Sequence, residues 1–146
     1  MVIRTMTLRD YDAVYALWMS CKNMGFNNLD DSRAGIGRFL ERNPATSFVA
    51  FDGERLAGVI LAGHDGRRGY IYHMSVGEDH RRKGVGTALL NRSLEALKAE
   101  GINKVALLVF RYNDAGNAFW EKQGFIERTD VAYRNRELVT MVRIDT

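Results

Sequence analysis

One cysteine, one proline and no extended apolar run set the first limits on this 146-residue chain. With Cys21 as the only thiol, neither an internal disulfide nor a cysteine-built zinc site can form; it reads as a small buried hydrophobe, the commoner fate of a free cysteine, with a reactive thiol as the alternative. No stretch approaches the ~18 apolar residues of a membrane-spanning helix. The opening run MVIRTMTLRD has neither the basic flank nor the apolar segment of a secretory signal. The expectation is a cytoplasmic protein without membrane contact and without a metal. Charge of one sign is also scarce: 21 Lys and Arg stand against 18 Asp and Glu, a net +3. That excess is too small to indicate nucleic acid, despite a pI near 9.2.

What is present is material for one core. Hydrophobic residues make up 46% of the chain, and no repeat, linker or low-complexity tract divides residues 1–146, so a single domain is expected. Strands are predicted at Ile3–Met6, Phe48–Phe51, Leu56–Ala62, Tyr70–Val76, Val105–Phe110, Phe125–Tyr133 and Leu138–Ile144. Asp52-Gly53 turns the second strand into the third, and the last two strands close as an antiparallel pair. The continuous apolar run at Val105–Phe110 predicts a strand buried on both faces.

Helices are predicted after Thr7 and Asp10, which resemble a capping box, with Val14, Leu17, Trp18 and Cys21 on one face. Others fall at Ser32–Arg42, stopped by Pro44, at about Gly84–Glu100, and at Ala115–Gln123. The class is mixed α/β: one mixed, mostly antiparallel sheet of about seven strands flanked by about four helices.

Chemistry concentrates at His80-Arg81-Arg82-Lys83-Gly84-Val85-Gly86-Thr87, between a predicted strand and a predicted helix. A helix start offers unpaired N–H groups and the positive end of the dipole, and Gly84 and Gly86 let a ligand approach them. Three cations there oppose the dipole by roughly 0.3–1 kcal/mol each, which makes sense if an anion sits among them. The P-loop pattern is absent, and the third glycine of a dinucleotide fingerprint is missing.

At these residues the chain resembles the GCN5-related N-acetyltransferases (GNAT). Arg81-Arg82-Lys83-Gly84-Val85-Gly86 fits the family's Q/R-x-x-G-x-G/A signature. Asn113, with Phe119-Trp120-Glu121-Lys122-Gln123-Gly124-Phe125, is similar to its Asn…(Leu/Phe)-Tyr-Glu-Lys-x-Gly-Phe segment. Within the family the chain looks nearest to the small branch containing the ribosomal-protein N-terminal alanine acetyltransferases.

The resemblance implies that the fourth and fifth strands splay, that acetyl-CoA is the cosubstrate, and that its pantetheine arm enters the gap as an added strand. On that basis the backbones of Met74, Ser75 and Val76 pair with the pantetheine amides. The N–H groups of Arg82, Lys83, Gly84, Val85, Gly86 and Thr87 hold the pyrophosphate, helped by Arg81. Asn113 hydrogen-bonds the arm, and Trp120 packs against the cofactor or core. It also implies direct attack by a primary amine of a small molecule or of a peptide or protein N-terminus, with the Val76 N–H as oxyanion donor. The partners are thus acetyl-CoA and an amine acceptor, on a monomer or homodimer.

Two departures matter. Trp120 replaces the family's acid tyrosine, and an indole N–H cannot deliver a proton usefully; Tyr112 is the nearest hydroxyl along the chain. No carboxylate lies on the fourth strand, leaving His73 as candidate base, with Tyr72 carried beside it. Strict alternation places Tyr70, Tyr72 and Met74 on one face and Ile71 and His73 on the other; a β-bulge would turn His73 inward. Arg67 and Arg68 are candidates for an acidic acceptor, or a solvated turn. The loss of the tyrosine keeps a second reading in view, an acyl-CoA-binding regulatory module without turnover.

Overall fold

The computed structural model describes residues 1–145. Five strands form one sheet in the order β1-β2-β3-β4-β5: β1 Val2–Thr5, β2 Phe48–Asp52, β3 Arg55–His64, β4 Gly69–Val76 and β5 Val105–Leu107. The first four are antiparallel neighbours, and β5 joins β4 in parallel. Four α-helices accompany them: α1 Tyr11–Ser20, α2 Arg33–Arg42, α3 Val85–Ala99 and α4 Asp114–Lys122.

The mixed α/β class and the helix count therefore agree with the sequence, whereas the strand count falls from about seven to five. The turn between β2 and β3 is Gly53-Glu54, one residue later than read. Val105–Phe110 shortens to Val105–Leu107, and these three residues are half-buried or exposed rather than enclosed. The expected hairpin of Phe125–Tyr133 and Leu138–Ile144 makes no ladder. Leu138 is 92% exposed and Ile126 85%. The reason lies in where the C-terminal segment bonds. Asn28 N–H donates to the Val142 carbonyl (2.9 Å) and Ile144 N–H to the Phe26 carbonyl (3.1 Å), so the segment straps the α1–α2 loop.

Helices cover both faces of β3, whose residues Ala57–Gly63 are all buried. On one face Leu89, Leu90 and Leu97 of α3 pack against Ile60, Ala62 and Ile71. On the other, Trp18 of α1, Phe26 and Ile36 of α2 pack against Val49, Val59 and Leu61. Each fully buried large aliphatic or aromatic side chain contributes roughly 1.5–3 kcal/mol. Gly58 brings α3 close: a Cβ there would lie 2.9 Å from Leu89 Cδ1 and 3.0 Å from the Ser75 carbonyl oxygen.

The helix starts follow their sequence signals. Ser32 caps α2 by accepting from the Gly35 N–H (3.0 Å). Thr7 N–H donates to Asp10 Oδ2 (2.9 Å), and the same carboxylate takes both nitrogens of the Arg4 fork (2.7 and 2.8 Å). That ties β1 to the turn entering α1.

Candidate active site

The sheet opens where β4 and β5 part. Gly69 pairs with Val105, Tyr70 with Ala106 and Ile71 with Leu107, and there the pairing ends, while β4 continues to Val76. The gap is the floor of a cleft of about 1120 Å³ whose walls include Met74, Leu108, Phe110, Asn113 and Trp120.

The phase of the antiparallel ladder decides which backbone groups face this gap. Gly77 N–H donates to the Ala57 carbonyl (2.8 Å). Hydrogen-bonded pairs alternate along such a ladder, so Ser75 pairs through hydrogen bonds with Val59, while Met74 and Val76 direct their N–H and C=O groups toward the β5 side. Ser75 is thus turned away from the gap, and its hydroxyl donates to Met24 Sδ (3.7 Å). A ligand adding itself as a strand would meet Met74 and Val76, with Ser75 serving the sheet.

Beyond β4 the chain makes a short 3₁₀ turn at Glu78–His80 and enters α3. Arg82 (φ 61°) and Gly84 (φ 81°) adopt left-handed conformations immediately before the helix. Two such residues flanking Lys83 turn successive N–H groups into one concavity, an anion nest set at a helix N-terminus. A Cβ on Gly84 would meet no protein atom within 4 Å, so the space beside it is free for a ligand. Arg81 sits differently from its neighbours: its Nε donates to the Val76 carbonyl (3.0 Å), locking the nest to the end of β4. Thr87 accepts at Oγ1 from Gln123 Nε2 (3.1 Å), which joins α4 to the first turn of α3.

The β4 bulge reassigns the faces. His73 pairs with Leu61 and Ile71 with Ala62, leaving Tyr72 as the extra residue. Beyond it the alternation is inverted. His73 shares the α1–α2 side with Tyr70 and Tyr72, while Met74 lies with Ile71 on the α3 side. The unbulged assignment, with Met74 beside the tyrosines and His73 beside Ile71, is thereby corrected.

His73 is held edge-on between Trp18 and Phe26, with ring centroids 5.1 and 4.5 Å away. Its side chain is 11% exposed, and Nε2 lies 2.7 Å from Asp31 Oδ1. Nδ1 is buried without a protein partner, as is the Trp18 indole nitrogen. A buried polar nitrogen without a partner costs about 1–3 kcal/mol.

Tyr70 and Tyr72 line the same cleft, on its α2 side, together with Phe39, Arg38 and Tyr133. Burial, then the neighbouring Tyr133 and Tyr72, pushes the Tyr70 phenol up to about 12. Burial, then the charges of Asp65 and Asp30, also raises Tyr72. Both phenols therefore stand as neutral donors.

The other candidates divide. Asn113 caps α4, its Oδ1 accepting from the Gly116 N–H (3.0 Å), which leaves its amide nitrogen as the donor available to a ligand. Trp120 packs edge-to-face with Phe119 and Phe125 on the cleft wall. Tyr112 lies apart, 62% exposed and stacked on Phe110 outside the cleft lining. Arg67 and Arg68 belong to a turn tied by their own N–H groups to Asp65 Oδ1, and the arginines that reach the cleft are Arg38 and Arg42. Sequence reasoning missed Asp31. It precedes the cap Ser32 and reads as an ordinary helix-start acid, and its partner lies 42 residues away.

No cluster of three or more His, Cys, Asp or Glu suited to a metal occurs among the described residues. Among the described residues, no helix is long and apolar enough to cross a membrane.

A splayed strand pair ending beside a helix-end anion nest defines an acyl-coenzyme A-dependent transferase. The chain belongs to the acetyltransferase (GNAT) family, whose model matches residues 11–125. It is 34% identical over 122 residues to an acetyltransferase of Pectobacterium atrosepticum, covering 84% of this chain and 85% of that protein. The crystal structure of Ard1 from Thermoplasma volcanium superposes with a TM-score of 0.76 at 25% identity, over 86% of this chain and 82% of that one. The ribosomal-protein-S18-alanine N-acetyltransferase of Escherichia coli shares the fold, with a TM-score of 0.73 at 22% identity over 88% and 79% of the two chains. The protein is an acetyltransferase, and acetyl-CoA is its cosubstrate.

Proposed function

We propose that the chain acetylates a primary amine, of a small molecule or of a peptide or protein N-terminus, by direct attack on the thioester, with His73 as general base. The observation that carries this is the bulge at Tyr72. It turns His73 to the α1–α2 side, where the residue lines the cleft, and this supports the reading. A base so placed typically contributes 10²–10⁴-fold.

The chain's own groups divide the work. The Met74 and Val76 backbones orient the arm, and the Val76 N–H faces the developing oxyanion. The N–H groups of residues 82–87, with Arg82 and Lys83, hold the pyrophosphate, while Arg81 braces the turn. The free amide nitrogen of Asn113 donates to the arm, and Trp120 packs against it. The acceptor enters past Arg38, Phe39, Tyr70 and Tyr72, from the opposite side. The test is release of free thiol when the protein is mixed with acetyl-CoA and a panel of primary amines and short peptides. His73→Gln should slow that release about a hundredfold or more with coenzyme A binding intact. Full turnover in the variant would remove His73 from the reaction.

A further inference from the structure

We infer that the acceptor is an anionic amine: a primary amine bearing a carboxylate on the order of 10 Å away, which Arg38 and Arg42 of α2 hold. The inference rests on the proposed acetylation of a primary amine and names the class of that amine. It does not depend on which group takes the amine's proton.

The cleft is electrically polar along β4. At one end Asp31 Oδ1 lies 2.7 Å from His73 Nε2, which sets the residues before α2 over His73. At the other, Asn43, just past α2, accepts at Oδ1 from the His64 N–H (2.9 Å), and His64 pairs with Gly69. Between them the Phe39 ring meets Tyr72 edge-on, with centroids 5.4 Å apart. Helix α2 thus runs against the direction of β4, with its acidic approach at His73 and its arginines toward Tyr70. Asp30, Asp31, Arg38 and Arg42 all line the cleft, and the two acids are the only ones among its described lining residues.

Arg38 and Arg42 stand one helical turn apart, where like charges repel. Arg33 of the same helix is taken by Asp12. Among the described residues no carboxylate pairs with Arg38 or Arg42. A guanidinium only donates, and it grips a carboxylate through two parallel hydrogen bonds. Beside the arginines, burial keeps the Tyr70 and Tyr72 phenols neutral and able to donate. An amine that is an ammonium in solution and carries a distant carboxylate complements both ends of the cleft at once.

The separation narrows the class. Met74, whose backbone faces the gap, is four residues from Tyr70, roughly 13 Å at the rise of a strand. The long arginine side chains shorten that span. The α-carboxylate of a free amino acid lies too close to its own amine to bridge it. An acidic side chain at the third position of a peptide does bridge it, and so does the carboxylate of a long ω-amino acid.

The experiment uses two matched pairs of acceptors: the amidated tripeptides Ala-Ala-Glu and Ala-Ala-Gln, and ω-aminooctanoate with its amide. Calorimetry gives their affinity for the protein saturated with coenzyme A, and thiol release from acetyl-CoA gives kcat and KM. Each acid should bind about tenfold more tightly than its neutral partner, in Kd and KM alike, and added salt should reduce the difference. Arg38→Gln and Arg42→Gln should each cut the preference roughly threefold, and the double variant should abolish it. Replacing both arginines with Glu should transfer the preference to amidated Ala-Ala-Lys, which lost packing alone would not do. Arg67→Gln, in the turn outside the cleft lining, should leave the preference intact. A preference confined to the tripeptides identifies a polypeptide N-terminus as the source of the amine, and one shown by ω-aminooctanoate a free small molecule.

Equal affinity for acid and amide in both pairs overturns the inference, as does a preference that survives the double variant. Preferential binding of the acids without thiol release from any acceptor instead removes the underlying amine acetylation, while the carboxylate site stands.

Discussion

The C-terminal strap provides the sharpest test of what holds the acceptor side together. Asp145 is 5% exposed at its side chain and receives the Gly25 N–H at 2.9 Å and the Phe26 N–H at 2.7 Å, with Arg143 Nε 3.2 Å away. Phe26 is fully buried and touches His73, so the carboxylate fixes the backbone of a residue that packs on the proposed base. Asp145→Ala leaves both N–H groups without their acceptor. A hydrogen bond to a charged group contributes about 1.5–3 kcal/mol, and water partly replaces it at a site this near the surface, so roughly 2–4 kcal/mol is lost in total. At roughly 2–4 °C per kcal/mol for a domain of this size, the melting temperature falls by about 4–16 °C. Asp145→Asn keeps one acceptor oxygen and should lose about half as much. Thermal unfolding gives the magnitude, and amide hydrogen exchange gives the place: the Gly25 and Phe26 amides lose protection ahead of the β3 core. A drop below about 1 °C with unchanged protection at these two amides would refute the latch, since the estimate has no other source.

Further outcomes follow from the same geometry. Coenzyme A should raise the melting temperature of the wild type, and Gly84→Asp should abolish that shift by placing a carboxylate in the nest; Gly84→Ala carries the same strain at φ 81° and should keep part of it. Trp120→Phe should bind acetyl-CoA normally and turn over within a few-fold of wild type, whereas a hundredfold loss in stopped-flow thiol release would give the indole N–H a direct role. Acid sensitivity should trace to two carboxylates. Burial raises both, but Arg4 and the Thr7 N–H outweigh it at Asp10, and the Gly25 N–H, Arg143 and the Phe26 N–H outweigh it at Asp145, so both end below the usual carboxylate range. A depressed native pKa stabilises fully above the unfolded value of about 3.9 and is lost as pH falls through the lower native value. The melting temperature should thus decline below about pH 4, less steeply in Asp10→Asn and Asp145→Asn, in a circular-dichroism pH series.

Much of this fold is local and so was legible in the sequence. The helix face of Leu90, Leu94 and Leu97, the cap at Ser32 and the glycines of the anion turn each carry their signal within a few residues. The nest at Arg82–Gly84 was readable for that reason: its glycine, its cations and its place between a strand and a helix are all neighbours. Two features escaped because their causes are distant. The C-terminal run has the alternation of a strand, and period-2 patterning states only that one face prefers burial, not which partner supplies it. Its bonds go to the α1–α2 loop over a hundred residues earlier in the chain.

The bulge carries the larger lesson. Alternation along Tyr70–Val76 assigns every face correctly through Tyr72, and that one unpaired residue inverts all that follows. Nothing in Tyr-Ile-Tyr-His-Met marks that residue, because the slip is set by the register with β3 and by the burial of His73 between two aromatic rings. Without the slip, the ring would point to the α3 side, into the apolar cluster of Leu89, Leu90 and Leu97. With it, the ring meets Asp31, the one buried acid of the α1–α2 loop. The bulge and the acid therefore depend on each other. An engineered β4 with Tyr72 deleted would put His73 directly after Ile71, still opposite Leu61, so it should keep the Asp31 contact and leave the anion nest able to bind coenzyme A. A deletion variant whose His73 imidazole loses the Asp31 contact in its ¹⁵N spectrum would refute this register.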